Sequence, residues 1–238
     1  MRVIQLWRYP VKSMQGESLD AVDVAELGLA GDRTFALRDL TTGLTLTARR
    51  EPSLLFASGH LVDGHAVVRM PDGVETDSDD VLSAWIGRDV SLVAAADDTA
   101  RVVYEIAADA EREADSDWRT WNGPRGAFHD SAKARVSIIG EDTLGEWPVR
   151  RFRPNVLVGG GDEGALVGAT VRAGSTTLEV MKQIDRCVMI TRPQPAGIER
   201  DLDVLRTVNR DRGTFVGVGA LVRAAGRLAV GDQMARIS

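Results

Sequence analysis

Short runs rich in Val, Ile, Leu and Thr recur along the chain, divided by glycines and polar turns. Alternation of apolar and polar positions with a period of two marks a strand with one buried face. The pattern predicts strands over Arg2–Tyr9, Leu19–Glu26, Thr34–Asp39, Leu44–Thr47, Leu54–Val62, Ala66–Met70 and Asp89–Ala94. It predicts further strands over Arg135–Ile139, Asn155–Val158, Thr170–Ala173, Thr177–Ile184, Val188–Thr191, Phe215–Arg223 and Arg227–Val230. Asp63-Gly64 between two apolar runs is a hairpin signal, because a two-residue turn of this kind needs positive φ at both positions.

Helical periodicity is rarer. Ser78 can cap a helix that carries Val81, Leu82, Trp85 and Ile86 on one side. Glu141–Trp147 has room for one or two turns, and Asp201–Arg210 sets Leu202, Leu205 and Val208 on one stripe. Many strands and few helices predict a mostly β chain built from barrels rather than a doubly wound sheet. Composition turns small and acidic over Ala94–Asp98 and Ala107–Asp117, which reads as a linker or surface loop. The expected division is a domain over 1–95 and a second over 96–238.

Charge narrows the function. The 238 residues carry 29 basic and 35 acidic side chains, net −6, which disfavours nucleic acid or an anionic membrane as partner. The deficit is uneven: nine basic face fourteen acidic side chains before residue 96, and twenty face twenty-one from there on. The second part is therefore relatively rich in cations. One Cys precludes an intramolecular disulfide or a Cys-cluster zinc site, and His60, His65 and His129 are scattered. No apolar run approaches the roughly 20 residues of a membrane span, and no signal peptide is evident. A cytoplasmic protein is expected, a compartment that suits an unpaired thiol.

Gly159-Gly160-Gly161-Asp162-Glu163-Gly164 follows a strand, as a phosphate loop would. No Lys-Ser/Thr follows, and Asp162 and Glu163 would repel phosphate, so a plain turn is expected. No Ser sits in a Gly-x-Ser-x-Gly elbow either.

Two segments depart from ordinary strand patterning. In Val149–Val158, an extended chain would set Phe152, Pro154, Val156 and Val158 on one face. Arg153 and Asn155 would share the other, roughly 7 Å apart. A guanidinium beside an amide suits an anionic ligand, although an exposed strand with solvated arginines has the same pattern. In Thr177–Thr191, Leu178, Val180, Ile184, Val188 and Ile190 share one parity. Cys187 takes the other, with Gln183, Asp185 and Thr191, between the cations Lys182 and Arg186. Cationic neighbours favour a thiolate, which is both a soft metal ligand and a nucleophile. Inert packing of a lone Cys remains the alternative.

Six segments, in order, resemble the MOSC family, the C-terminal domain of molybdenum-cofactor sulfurases, with its N-terminal β-barrel partner. They are Tyr9-Pro10-Val11-Lys12-Ser13 with Gly16, Gly31-Asp32-Arg33, Leu46–Pro52, Phe128-His129-Asp130-Ser131, Phe152-Arg153-Pro154-Asn155 and Asp185-Arg186-Cys187. Gly226–Asp232 resembles the closing strand. Within the family the chain is most similar to the mitochondrial amidoxime-reducing components and their bacterial counterparts. The resemblance implies a molybdenum cofactor (molybdopterin), with Cys187 as both metal ligand and catalytic residue. It implies that Lys12, Ser13 and Arg33 reach the cofactor's phosphate. Ser131, Arg153 and Asn155 would hold pterin and phosphate, and Asp130 and Arg186 complete the set. Pyridoxal phosphate binding is also compatible with it. The implied activity is reduction of N-hydroxylated compounds, or a related oxygen-atom transfer, on a small-molecule substrate. The bacterial reductases carry an iron–sulfur domain for which this sequence has no Cys, and the mitochondrial forms carry a membrane anchor that is not expected here. Electrons are therefore expected from a separate ferredoxin, flavodoxin or cytochrome. A sulfur carrier with a persulfide on Cys187, and a non-catalytic cofactor carrier, are the competing readings. Where the family often shows Thr-Thr and Asp-Pro, Thr191 is followed here by Arg192-Pro193.

Overall fold

The computed structural model describes residues 1–96, 102–108 and 115–238. Its largest element is an eight-stranded sheet. In spatial order the strands are Met234–Arg236, Thr170–Ala173, Thr176–Asp185, Phe215–Ala224, Val136–Gly140, Val156–Gly159, Arg2–Arg8 and Glu17–Leu19. Neighbours are antiparallel except for Val136–Gly140 beside Val156–Gly159. A parallel pair needs a crossover, and the helical turns Glu141–Leu144 and Val149–Phe152 supply it.

Of the first thirty residues, Arg2–Arg8 and Glu17–Leu19 belong to this sheet, while Ala21–Ala25 and Gly28–Leu29 form a separate three-stranded sheet with Gly226–Ala229. Arg2–Arg8 pairs with Val156–Gly159, and Ala21–Ala25 pairs with Gly226–Ala229. Val3, Leu6, Val22, Val24 and Leu29 share one core with Val136, Ile138, Val156, Leu178, Val180 and Val218. A second core gathers Val11, Met14, Leu37, Leu46, Leu54, Leu55, Val68, Leu82 and Val90. It lies under Phe35–Asp39 paired with Val90–Ala94, the meander Ser58–Val62, His65–Arg69 and Glu75–Thr76, and the helix Asp79–Ile86. The chain thus leaves the first core at Leu6 and enters the second at Val11. Tyr9 to Ser13 span the junction.

The barrel expectation holds in outline, and the Asp63-Gly64 hairpin forms with φ of 49° and 84°. Several elements differ. Val149–Phe152 is a helical turn between Pro148 and Pro154, not part of a strand, and Arg153 caps it with φ of 53°. Arg153 and Asn155 therefore do not share a strand face. Val188–Thr191 is a 3-10 turn in which the Thr191 hydroxyl donates to the Val188 carbonyl. Its alternating apolar residues mimic a strand because a turn of this pitch also buries Val188 and Ile190. Pro52 starts a 3-10 turn over Pro52–Phe56, so the run Leu54–Val62 becomes a strand only at Ser58. Leu44–Thr47 forms a single bridge, Thr45 beside Arg38. On either side of the acidic stretch Ala107–Asp117, Val103–Ala107 and Trp118–Asn122, for which no strand is expected, form an antiparallel pair that buries Tyr104. The expected loop residues 97–98 and 109–114 lie outside the described residues. Among the described residues no helix is long and apolar enough to cross a membrane.

Gly16 is required by close approach. A Cβ there would lie 2.1 Å from the Arg8 carbonyl oxygen and 2.6 Å from the Tyr9 ring. Gly43 has positive φ but open space around it. Gly16→Ala is expected to cost at least about 3 kcal/mol in urea unfolding, against about 1–2 kcal/mol, the cost of the left-handed conformation alone, for Gly43→Ala. Equal losses would contradict the contact.

Candidate functional site

The junction from Tyr9 to Ser13 places Lys12 against the Phe128–Asp130 segment. Lys12 Nζ donates to the Phe128 carbonyl at 2.9 Å and to Asp130 Oδ1 at 3.0 Å, and sits 4.2 Å from the centre of the Tyr104 ring. Burial lowers its pKa to about 8, with Asp130 opposing the drop and Arg49 adding to it. Asp130 feels the reverse. Desolvation would raise it, yet Lys12, Arg49 and Arg33 together hold the carboxyl well below the usual carboxylate range.

Arg33 and Arg153 flank the buried Tyr9 ring at 5.1 and 4.4 Å. Arg33 donates to the Asp32 carboxylate, and approaches Asn155 Oδ1 at 3.4 Å and the Arg153 carbonyl at 3.5 Å. The Tyr9 hydroxyl donates to the Pro154 carbonyl, and burial raises its pKa to about 12, so the ring stays neutral between two cations. Desolvation lowers Arg153 to about 10, which leaves it charged at neutral pH. Its Nη1 is buried with no hydrogen-bond partner. A buried donor of a charged group without an acceptor is costly, which points to an anion as its complement.

Cys187 follows the end of the strand Thr176–Asp185 and is partly exposed, so the sulfur is not sealed in aliphatic packing. Arg49 couples electrostatically to Cys187 and lies 3.7 Å from Asp130. The Arg49 Nε is buried without a partner. Arg186, next to Cys187, is held by backbone carbonyls: Nε and Nη2 donate to Val216 at 2.9 and 2.6 Å, and Nη1 donates to Phe152 at 2.8 Å. Its role is to fix the chain at Cys187 and to add positive potential there.

The remaining expected site residues are placed differently. Asn155 is 1% exposed, and its Oδ1 accepts from the Ser137 amide and hydroxyl while its Nδ2 donates to the Trp7 carbonyl. It ties the junction to the sheet rather than facing a ligand. Ser13 Oγ accepts from the Ala48 amide at 3.0 Å, and Ser131 Oγ accepts from the Lys133 amide at 3.2 Å. Each hydroxyl keeps its proton for a further acceptor.

Lys12, Arg33, Arg49, Arg153 and Arg186 thus meet three carboxylates, Asp32, Asp130 and Asp185. His129 adds no charge: its Nε2 is 3.0 Å from the Leu27 carbonyl and so carries the proton, and burial lowers its pKa to about 4. Ser13, Arg33 and Arg153 account for three of the six non-glycine residues with positive φ among the described residues. Such strain gathers where a side chain must be aimed. Sequence reading passed over Arg49 as a site residue, although it lies in a quoted segment. Nothing local marks it, because its partners come from distant parts of the chain.

A separate cavity of about 500 Å³ is lined by Asp142, Thr143, Asp162, Glu163, Gln183 and Arg212, among others, and includes none of Lys12, Arg33, Arg153 or Cys187. The cationic cleft is the stronger candidate, because its buried donors lack acceptors. Among the described residues no group of three or more His, Cys, Asp or Glu could hold a metal. Cys187 would therefore be a single protein ligand to a metal that brings its own chelate.

Residues 1–120 match the model of the MOSC N-terminal beta barrel domain, and residues 125–235 match that of the MOSC domain. Among solved structures, the YuaD protein from Bacillus subtilis is 12% identical with a TM-score of 0.44, over 98% of this chain and 93% of its own. YiiM from Geobacillus stearothermophilus is 11% identical with a TM-score of 0.38, over 76% of this chain and 71% of its own. No curated protein matches.

The depressed Lys12 pKa gives the cleft a pH signature. Lys12 is a cation below pH about 8 and becomes neutral above it, so anion affinity falls as pH rises through that value. Sulfate affinity measured by calorimetry should drop about tenfold between pH 6.5 and 9.5, the size of one charge-assisted hydrogen bond. The drop should vanish in Lys12→Met. A pH-independent affinity in the unmodified protein would contradict it.

Proposed function

Because the chain belongs to the MOSC family, generally associated with the molybdenum cofactor, we propose that it binds this cofactor and uses it to reduce N-hydroxylated compounds, or in a related oxygen-atom transfer, with electrons from a separate ferredoxin, flavodoxin or cytochrome. The observation that carries this reading is the buried, unpartnered Nη1 of Arg153 in a cluster where five cations outnumber three carboxylates, with Cys187 partly exposed at its side.

The residues suit the group. Arg153, Arg33 and Lys12 would hold its phosphate, with the Ser13 and Ser131 hydroxyls as further donors. Cys187 would give one thiolate to the metal. When bound, the cofactor supplies a metal that changes oxidation state and exchanges oxygen with a substrate.

The chain's own part is placement and electrostatics. Arg186, anchored on Val216 and Phe152, fixes the backbone beside Cys187. Arg49 and Arg186 place two guanidinium groups beside Cys187. The neutral Tyr9 ring keeps Arg33 and Arg153 apart while offering its face to both. Partial exposure of Cys187 leaves an open side from which a small substrate could approach.

Protein purified from a cofactor-competent host should carry close to one molybdenum and one pterin per chain. Cys187→Ser should lose reductase activity while remaining folded, and Arg153→Met should lose most of the bound pterin. A folded protein with no molybdenum or pterin would overturn the reading. An additional sulfur on Cys187 with no metal, seen by mass spectrometry, would replace it with the sulfur-carrier reading.

A further inference from the structure

We infer that Asp130 is an internal counter-anion: in the ligand-free protein its carboxylate holds the place between Lys12 and Arg49 that a ligand's anionic group takes, so that an anion binds only by displacing it. The inference rests on the anion-binding reading of the cleft and deepens it.

Geometry separates Asp130 from the residues around it. Its side chain is 59% exposed, whereas those of its partners Lys12 and Arg49 are 5% and 12% exposed. It is a lid of one carboxylate over two buried cations. The backbone before it is fixed, since the Phe128 carbonyl accepts from Lys12 and the His129 carbonyl accepts from the Tyr104 hydroxyl. After it the chain turns, with the Ser131 hydroxyl and carbonyl accepting from the Lys133 and Ala134 amides. The side chain can rotate toward solvent without disturbing either anchor. A residue that only held a bound anion would present a donor, and a carboxylate presents none when ionised.

A threshold for binding follows from tethering. A carboxylate attached to the site has an effective concentration in the millimolar range or above, so a free monoanion of the same charge gains little by replacing it. A dianion brings a second charge, and Arg153 Nη1 still lacks an acceptor. The ligand class that overcomes this threshold is a phosphate monoester or another compact dianion, rather than a simple carboxylate.

The test uses the full chain at pH 6.5, where Lys12 is protonated, with sulfate as a dianion probe and acetate as a monoanion probe. Thermal melting first checks that Asp130→Asn is folded, and Asp130→Ser serves if it is not. The unmodified protein should bind sulfate and show no measurable acetate binding. Asp130→Asn should bind sulfate at least about tenfold more tightly, an increase of about 1.4 kcal/mol in binding free energy, and should gain acetate binding. Arg153→Met should weaken sulfate in both backgrounds. If Arg153→Met weakens sulfate but Asp130→Asn leaves it unchanged or weaker, the counter-anion inference falls and the anion site stands. If no variant binds sulfate, or Arg153→Met has no effect, both fall.

Discussion

Concentrated positive charge is the constraint around which this molecule is arranged. Lys12, Arg33, Arg49, Arg153 and Arg186 are drawn out of water into one cleft, although the chain as a whole carries net −6. Removing cations from water is costly unless something compensates. Three kinds of compensation are visible. Backbone carbonyls take Arg186 and part of Lys12. Aromatic faces take Lys12, Arg33 and Arg153. Asp32 and Asp130 supply negative charge. The compensation is incomplete at Arg49 Nε and Arg153 Nη1, and that shortfall gives the cleft its affinity for an anion.

The fold makes this possible by weaving distant segments. Arg2–Arg8 lies in the large sheet beside Val156–Gly159, so the Tyr9–Ser13 junction emerges next to Arg153. The second core anchors Val11 and Ala48, which carries Arg49 toward Cys187. The strand Thr176–Asp185 ends at the same place and hands on to Cys187. Each segment is held by its own core, and only the ends meet. That arrangement positions side chains rigidly without requiring them to be neighbours in sequence.

The strands with two-residue alternation are legible because burial on one face dictates that alternation; Thr176–Asp185 and His65–Arg69 are examples. Where local chemistry overrides periodicity, the reading slipped. The two prolines around Val149–Phe152 impose a turn on an apolar run, and Pro52 does the same at Leu54. The pair Val103–Ala107 and Trp118–Asn122 was hidden by the acidic residues between its strands. In the site, Lys12, Arg33, Arg153 and Cys187 were recognisable through segments that resemble a known family. Asn155 was recognisable too, but its amide serves Ser137 and Trp7. Arg49 could not be singled out, because its significance lies wholly in what folding brings beside it.

The most direct test of the central claim is anomalous diffraction at the molybdenum edge, on crystals of protein produced in a cofactor-competent host. The account expects one strong peak within thiolate bonding distance of Cys187 Sγ, with density for a phosphate against Arg153 and Lys12. A filled cleft with the metal elsewhere, or crystals of folded protein with no peak at Cys187, would contradict it.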